Sequence, residues 1–298
     1  MIRIGVHTSI AGGIELSLKR ANELGCNTVQ IFSHNPRRWA ITPIPKENLN
    51  IFRKLRSNLS ISPVFIHASY LINLAAKDMN TLKRSEELLA VELSRADEIG
   101  ADYVILHTGS ASKDESKVAR KRAIDSLNHV MKKGRWSAGL LLENTAGEKG
   151  DISSSIEDLA EILAGVKSNG ISGICFDTCH AFSASYDLRR HETINSLLDK
   201  IERCIGFDKV RLIHLNDSKR DLGARVDRHE HIGKGKIGIK GFQIFFGREE
   251  IRSIPLILET PKKSLEDDKQ NLAVVRKLLS GIYKDSQKGK ENIERAFN

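Results

Sequence analysis

The chain has 298 residues, 40% of them hydrophobic and 29% charged, with a formal net charge of +9. These values describe a globular protein long enough for one large domain or two ordinary ones, and no apolar run approaches the roughly 18 residues that a membrane span requires. The basic balance fits either a polyanionic partner or ordinary surface charge, and says nothing about the fold.

Taken in chain order, eight apolar runs read as strands, with helical periodicity between them. Residues 2–7 form the first strand, which runs into the loop HTSIAGG and a helix over 14–24. A second strand, 28–33, leads to a loop carrying Arg37, Arg38 and Trp39. The third, 63–67, ends on His67 and is followed by Ala68-Ser-Tyr-Leu-Ile-Asn73. The longest helical segment, 82–99, has apolar residues at 88, 89, 91, 93, 96 and 99, and precedes a strand at 103–108 that contains His107. A helix over 116–132 and a strand over 139–144, with Glu143 near its end, come next. Residues 151–155 offer N-caps for a helix over 156–166. The sixth strand, 171–177, passes into Asp177-Thr-Cys-His180. A helix over 193–205 leads to a strand at 210–216 with His214, then to Asp227-Arg-His229. The last strand, 255–260, contains Glu259, and a helix spans 265–279. Gly25, Gly100 and Gly170 stand where left-handed helix C-caps are expected.

Strand starts roughly 25–45 residues apart are spaced as βα units. Continuous Val/Ile/Leu runs indicate parallel strands buried on both faces. Eight alternations favour a closed TIM (β/α)8 barrel, with its chemistry at the C-terminal ends of the strands. Residues 1–283 are expected to form a single domain, and 284–298 a polar tail with no assigned role. The opening MIRIGVHTS lacks the apolar core of a secretory signal, which points to a cytoplasmic location. Cys26, Cys175, Cys179 and Cys204 show no CxxC spacing and read as reduced thiols.

One His at a strand end is more often a satisfied polar residue than a metal ligand. Recurrence at the same end of successive strands weakens that reading. The candidates are His67, His107, Glu143, Asp177, His180, His214, Asp227, His229 and Glu259. Nine are too many for one zinc, and suit a cluster of two or three ions of the kind that assists phosphoryl transfer. Five imidazoles favour zinc, with manganese possible at one site. His229 and His231 form an HxH in a loop, where only one need ligate. His7 is a candidate partner behind the ligands, and His129 and His191 read as surface or packing residues. No GxSxG elbow or Walker pattern is present, and the glycine-rich IGKGKIG fits no phosphate-binding fingerprint. At the barrel mouth, Arg37 and Arg38 suit phosphates, and Tyr70 and Leu71 suit a wedge between bases; the competing reading is a packed loop with Trp39 in the core. Lys219, Arg220, Arg225 and Arg228 add a basic rim.

Three segments, HASYLINL (67–74), GICFDTCH (173–180) and 213–229 from IHLNDSK to GARVDRH, together with HTSIAGG and LETP, make the chain resemble the endonuclease IV family of apurinic/apyrimidinic endonucleases. The resemblance spans essentially the whole chain and implies a TIM barrel with three zinc ions. His67 and His107 would hold the first ion, and Glu143 would bridge it to the second. Asp177, His214 and Glu259 would complete the second, and His180, Asp227 and His229 the third. Arg37, Tyr70 and Leu71 match positions that enter the gap in a bent duplex. The implied enzyme is a monomeric DNA-repair hydrolase with a trinuclear metal mechanism. It would act on double-stranded DNA containing abasic sites or blocked 3′ ends. The rival readings are a metal-dependent sugar or sugar-phosphate isomerase or epimerase on a related barrel, and a non-catalytic DNA-binding barrel with structural zinc.

Overall fold

The computed structural model describes residues 2–111, 114–168 and 170–297, with side chains described to residue 281. Eight parallel strands close into a barrel in the order β1-β10-β7-β6-β5-β4-β3-β2. They are β1 (Ile4–Thr8), β2 (Val29–Phe32), β3 (Val64–His67), β4 (Tyr103–Leu106), β5 (Gly139–Glu143), β6 (Ile171–Asp177), β7 (Val210–His214) and β10 (Leu256–Leu258). Between β7 and β10 a short antiparallel pair, β8 (Asp217–Ser218) and β9 (His229–Glu230), projects from the barrel mouth. All eight predicted barrel strands are present, with no end moved by more than two residues.

The helices are α1 (Glu15–Glu23), α2 (Lys46–Asn58), α3 (Met79–Ile99), α4 (Ser116–Lys133), α5 (Ile156–Gly165), α6 (Thr178–Ser183), α7 (His191–Cys204), α8 (Gly238–Phe246), α9 (Glu249–Arg252) and α10 (Leu265–Phe297). The expected caps form at the end of α3 and the start of α5: Gly100 takes a left-handed φ of 78°, and Ser155 and Asp158 make a capping box. Asp78, outside the expectations, caps the start of α3 by accepting from Thr81 N. Gly25, at φ 66°, follows α1 as expected. Gly170 is a correction: α5 already ends at Gly165, capped by Val166, and Gly170 lies beyond it in the connection to β6. The helix α2 was missed because only Leu49 and Phe52 of its largely polar residues are buried. The short helix α6, buried throughout, carries no amphipathic signal at all. Residues 284–298, set apart by their polarity, have side chains outside those described.

The barrel interior explains why metal-ligand residues close so many strands. Phe65, Ile105, Leu141, Cys175, Leu212 and Ile257 form a separate, fully buried plug inside the barrel. Two residues further along each chain stand His67, His107, Glu143, Asp177, His214 and Glu259. Side chains on a strand alternate faces with period two, so each of these six points inward, one layer above the plug. The intervening residues, such as Ile66, Leu106, Leu142 and Phe176, pack outward against the helices.

One strand needs a correction to join this layer. The pairing of β5 with β6 passes from Leu140↔Ile171 to Leu141↔Gly173, so β6 carries an extra residue there. A slip of one residue would turn a whole strand inside out. The bulge sets Cys175 and Asp177 facing inward; a second shift, from Ile174↔Val210 to Cys175↔Leu212, gives β7 an extra residue, and Asp177 then pairs with His214. At Gly173 φ is 146°, and a Cβ would lie 2.0 Å from the Lys209 carbonyl oxygen, so only glycine fits.

Candidate metal centre

Each ligand candidate reaches the barrel mouth for a local reason. Asp177 ends β6 and caps α6 by accepting from His180 N at 2.7 Å. That cap directs the first turn of α6 and aims His180 at the same cluster, which accounts for the Asp-x-x-His spacing. His229 returns on β9, where its pairing with Ser218 of β8 folds the 219–228 loop back over the end of β7. Asp217 holds this return in place. Its fully buried carboxylate accepts from the backbone N–H groups of Ser218, Gly233, Gly235, Ile237 and Gly238 at 2.8–3.2 Å. A Cβ on Gly235 would lie 2.4 Å from Asp217 Oδ1. The glycines of IGKGKIG therefore let the backbone wrap an internal carboxylate, as nests of amides do for phosphate.

All nine candidates converge. His67 and His107 present Nε2 to Glu143 Oε2 at 3.4 and 3.0 Å. His214 Nδ1 lies 2.9 Å from Glu143 Oε1 and 3.2 Å from Glu259 Oε2. His180 Nε2 and His229 Nε2 lie 3.4 and 3.2 Å from Asp227 Oδ1. Donor atoms of His67, His107 and Glu143, of Glu143, Asp177, His214 and Glu259, and of His180, Asp227 and His229 form three mutually close groups. His107 and Asp227 are 35% and 45% exposed in their side chains while Glu143 is wholly buried, so the cluster opens on one side.

The far ring nitrogens are occupied in the way metal-binding imidazoles require. His67 Nδ1 faces the Ala68 carbonyl at 2.9 Å, His180 Nδ1 the Asn144 carbonyl at 2.9 Å, and His229 Nδ1 the Glu259 carbonyl at 3.1 Å. These acceptors hold the proton on Nδ1 and leave Nε2 turned to the cluster. His214 is reversed, with Nε2 2.7 Å from Gln30 Oε1. Gln30 also donates to Glu259 Oε1 at 2.6 Å, and Asn216 to Asp177 Oδ2 at 2.7 Å. Gln30, Asn144 and Asn216 were not singled out from sequence. Their signal is an amide inside or just beyond an otherwise apolar strand, a costly residue there unless it serves a neighbour. His7 lies 3.6 Å from Glu259, as expected of a residue behind the ligands. His231 turns away to Asn271, which leaves His229 alone of the HxH in the cluster. His129 is exposed beside Glu86 on the surface of α4, and His191 opens α7.

The donor set fits divalent ions. Glu143 Oε2 and His229 Nε2 are buried and make no hydrogen bond, an exceptional state for buried polar atoms that a cation would relieve. Burial opposes charge on Glu143, but His214 and His107 outweigh it and hold the carboxyl well below 4.5. Burial likewise opposes charge on His180, yet Asp177, Asp227 and Glu143 keep its imidazole well above 6.5. Without metal, the histidine contribution to stability is full below about pH 6.5 and is lost as pH rises through the raised value. The carboxylate contribution is present above about pH 4.5 and is lost as pH falls through the lowered one. Chelated protein should therefore melt highest between these limits and lose midpoint on the alkaline side. The metal-loaded protein should gain with rising pH, because ligands must shed protons to bind. Melting curves across pH, with and without chelator, check this; a chelated protein most stable above pH 8 would contradict it.

Around the cluster, Arg37 and Arg38 are exposed on the loop after β2, as are Lys219, Arg220, Arg225 and Arg228 on the loop before β9. Tyr70 is 62% exposed, with its ring 5.2 Å from Phe32 at the mouth. Leu71 is half-buried on the core. Trp39 is partly buried on the core too, under the Arg84 guanidinium at 4.1 Å, so it serves packing. Beside the cluster, between the loops after β1 and β2, a cavity of about 740 Å³ is lined by His7, Phe32, Arg37, Tyr70 and Lys262. No helix among the described residues is long and apolar enough to cross a membrane.

Comparison with known proteins gives the same architecture. Residues 18–280 match the family described as xylose isomerase-like TIM barrel. A probable endonuclease 4 of Methanoculleus marisnigri is 40% identical over 279 residues, covering 93% of this chain and 99% of that protein. The crystal structure of endonuclease IV from Thermus thermophilus superposes with a TM-score of 0.83 at 36% identity, over 94% of this chain and 99% of that one. A D-tagatose 3-epimerase-like protein superposes at 0.72 with 18% identity, covering 96% and 100% of the two chains, a likeness of fold alone.

Proposed function

The chain belongs to the endonuclease IV family among the xylose isomerase-like TIM barrels, and on that premise we propose a specific reaction for it. It hydrolyses the phosphodiester 5′ to an abasic site in duplex DNA, leaving a 3′-hydroxyl and a 5′-deoxyribose phosphate, and removes blocking groups from 3′ ends. It works as a monomer in the cytoplasm, with the DNA. The observation that carries this reading is the inward layer of six ligand side chains, joined by His180, Asp227 and His229, with two orphaned donor atoms at its centre.

His67 and His107 would hold one ion with Glu143, Asp177, His214 and Glu259 would hold a second with the same Glu143, and His180, Asp227 and His229 would hold a third. Zinc fits the imidazole-rich groups, with manganese possible at one of them. When bound, such ions polarise the phosphate and lower the pKa of nearby water. The protein's own share is arrangement. Backbone carbonyls of Ala68, Asn144 and Glu259 fix three imidazole tautomers, Gln30 and Asn216 orient two carboxylates, and the basic rim draws in the phosphate backbone. A site without a base is cheap to extrude, which favours damaged over intact duplex.

The test is incision of an end-labelled abasic duplex, with the termini of both products identified. A protein that leaves this duplex intact but interconverts ketoses would instead be a sugar epimerase. Tyr70→Ala should weaken binding to abasic duplex by roughly 1–3 kcal/mol and to intact duplex by less, because an exposed ring at the mouth can fill the gap in the stack. Arg37→Ala should flatten the salt dependence of binding. Equal losses of affinity for the two duplexes would mean that these loops only attract charge.

A further inference from the structure

The two loops that carry Arg37 and Tyr70 rest on a shared buried acid from outside the cluster. Glu92 lies on α3 with none of its surface exposed. One carboxylate oxygen accepts from Ser33 Oγ, at the start of the β2 loop. The other accepts from Ser69 N, in the β3 loop, at 3.1 Å, and lies 3.4 Å from His34 Nδ1. One turn on, Arg95 donates to the Ser33 and Thr42 carbonyls at 3.0 and 2.7 Å, so the same face of α3 holds the β2 loop twice. Ser69 then ties the loops directly. Its hydroxyl donates to the Pro36 carbonyl at 2.7 Å and accepts from Leu71 N at 3.2 Å.

These bonds sit immediately beneath the exposed side chains. Ser33, His34 and Pro36 precede Arg37, and Ser69 precedes Tyr70. A buried carboxylate is costly unless its acceptor positions are filled, and here both oxygens are filled by donors from the two loops. Release of either loop leaves Glu92 under-satisfied and so weakens its hold on the other.

We propose that Glu92 is a positioning residue that couples the β2 and β3 loops, so that Arg37 and Tyr70–Leu71 meet the damaged duplex as one preformed unit. The inference rests on the DNA-repair reading for its consequence but not for the coupling itself. Preformed loops spend less free energy on ordering when DNA binds, so loss of coupling falls on affinity rather than on the bound reaction.

Ser33→Ala removes one loop's donor and leaves Glu92 and Ser69 in place, and Glu92→Gln leaves one carbonyl oxygen for the two loops. Both are measured in metal-loaded protein beside wild type, with melting midpoint and metal content. Amide exchange of Ser33→Ala should quicken in the unsubstituted loop, residues 69–73, by about tenfold, and Glu92→Gln should quicken both loops. The Kd for abasic duplex should rise about tenfold with single-turnover cleavage at saturating enzyme within about threefold of wild type, because the loss is one of binding. Faster exchange confined to the substituted loop, or equal losses in affinity and bound cleavage rate, would overturn the coupling. A wild-type protein that ignores abasic duplex would defeat the repair reading, and the exchange measurement would still decide the coupling.

Discussion

Replacing Glu143 with Gln is expected to slow single-turnover cleavage of an abasic duplex by at least about 100-fold, with the loss in kcat. Glu143 stands at the centre of the cluster. Its two oxygens lie within 2.9–3.4 Å of ring nitrogens from His67, His107, His180 and His214, so it is shared between two of the three donor groups. Gln keeps the volume and one acceptor but removes the negative charge that two sites share. The fold should survive, because the plug beneath, led by Leu141, is untouched, and the new amide N–H groups can donate to neutral imidazoles. Affinity for the duplex should change little, since Arg37, Tyr70 and the basic rim lie elsewhere. Cleavage, duplex binding and metal content are to be measured on one sample. Cleavage within a few-fold of wild type at full metal occupancy would show that Glu143 does not join the two groups.

Removal of metal should be more severe still. Gently purified protein is expected to carry about three ions per chain, mostly zinc, and exhaustive chelation should lower cleavage by at least about 1,000-fold. The barrel should stay folded. In this arrangement His214 already pairs with Glu143 and Glu259, and His180 and His229 with Asp227, so the emptied cluster keeps compensating partners. Far-ultraviolet dichroism should therefore be unchanged while activity is lost, and zinc should restore it. This separates the barrel from small zinc domains, in which metal binding and folding are one event. Full cleavage by protein shown by elemental analysis to be free of metal would end the metal-dependent reading.

Much of this was legible before the fold was known. A run such as VFIH or VILH reports burial on both faces through its apolar residues, and its repetition eight times leaves few architectures besides a closed barrel. The six strand-end candidates were readable because the strand period is a local property. Phe65 and His67, or Ile257 and Glu259, must face the same way whatever surrounds them. The Asp177–His180 spacing was readable only as two metal-ligand side chains leaving a strand; the cap and helical turn behind it emerged in the structure.

What sequence could not show depends on contacts between distant segments. The bulge at Gly173 sets the inward face of β6, and it needs glycine because the Lys209 carbonyl of the neighbouring chain segment lies where a Cβ would stand. The choice of His229 over His231 is made by Asn271 on α10 and by the β8–β9 pairing. The purpose of IGKGKIG depends on Asp217, sixteen or more residues earlier, and the seating of the Arg37 and Tyr70 loops depends on Glu92, which in sequence is one more charged residue on a long helix. Chain-local patterns thus determined the barrel and the inward layer of candidate residues above its plug. Register, tautomer and loop placement were decided only in three dimensions, where a buried polar atom must find its partner across the fold.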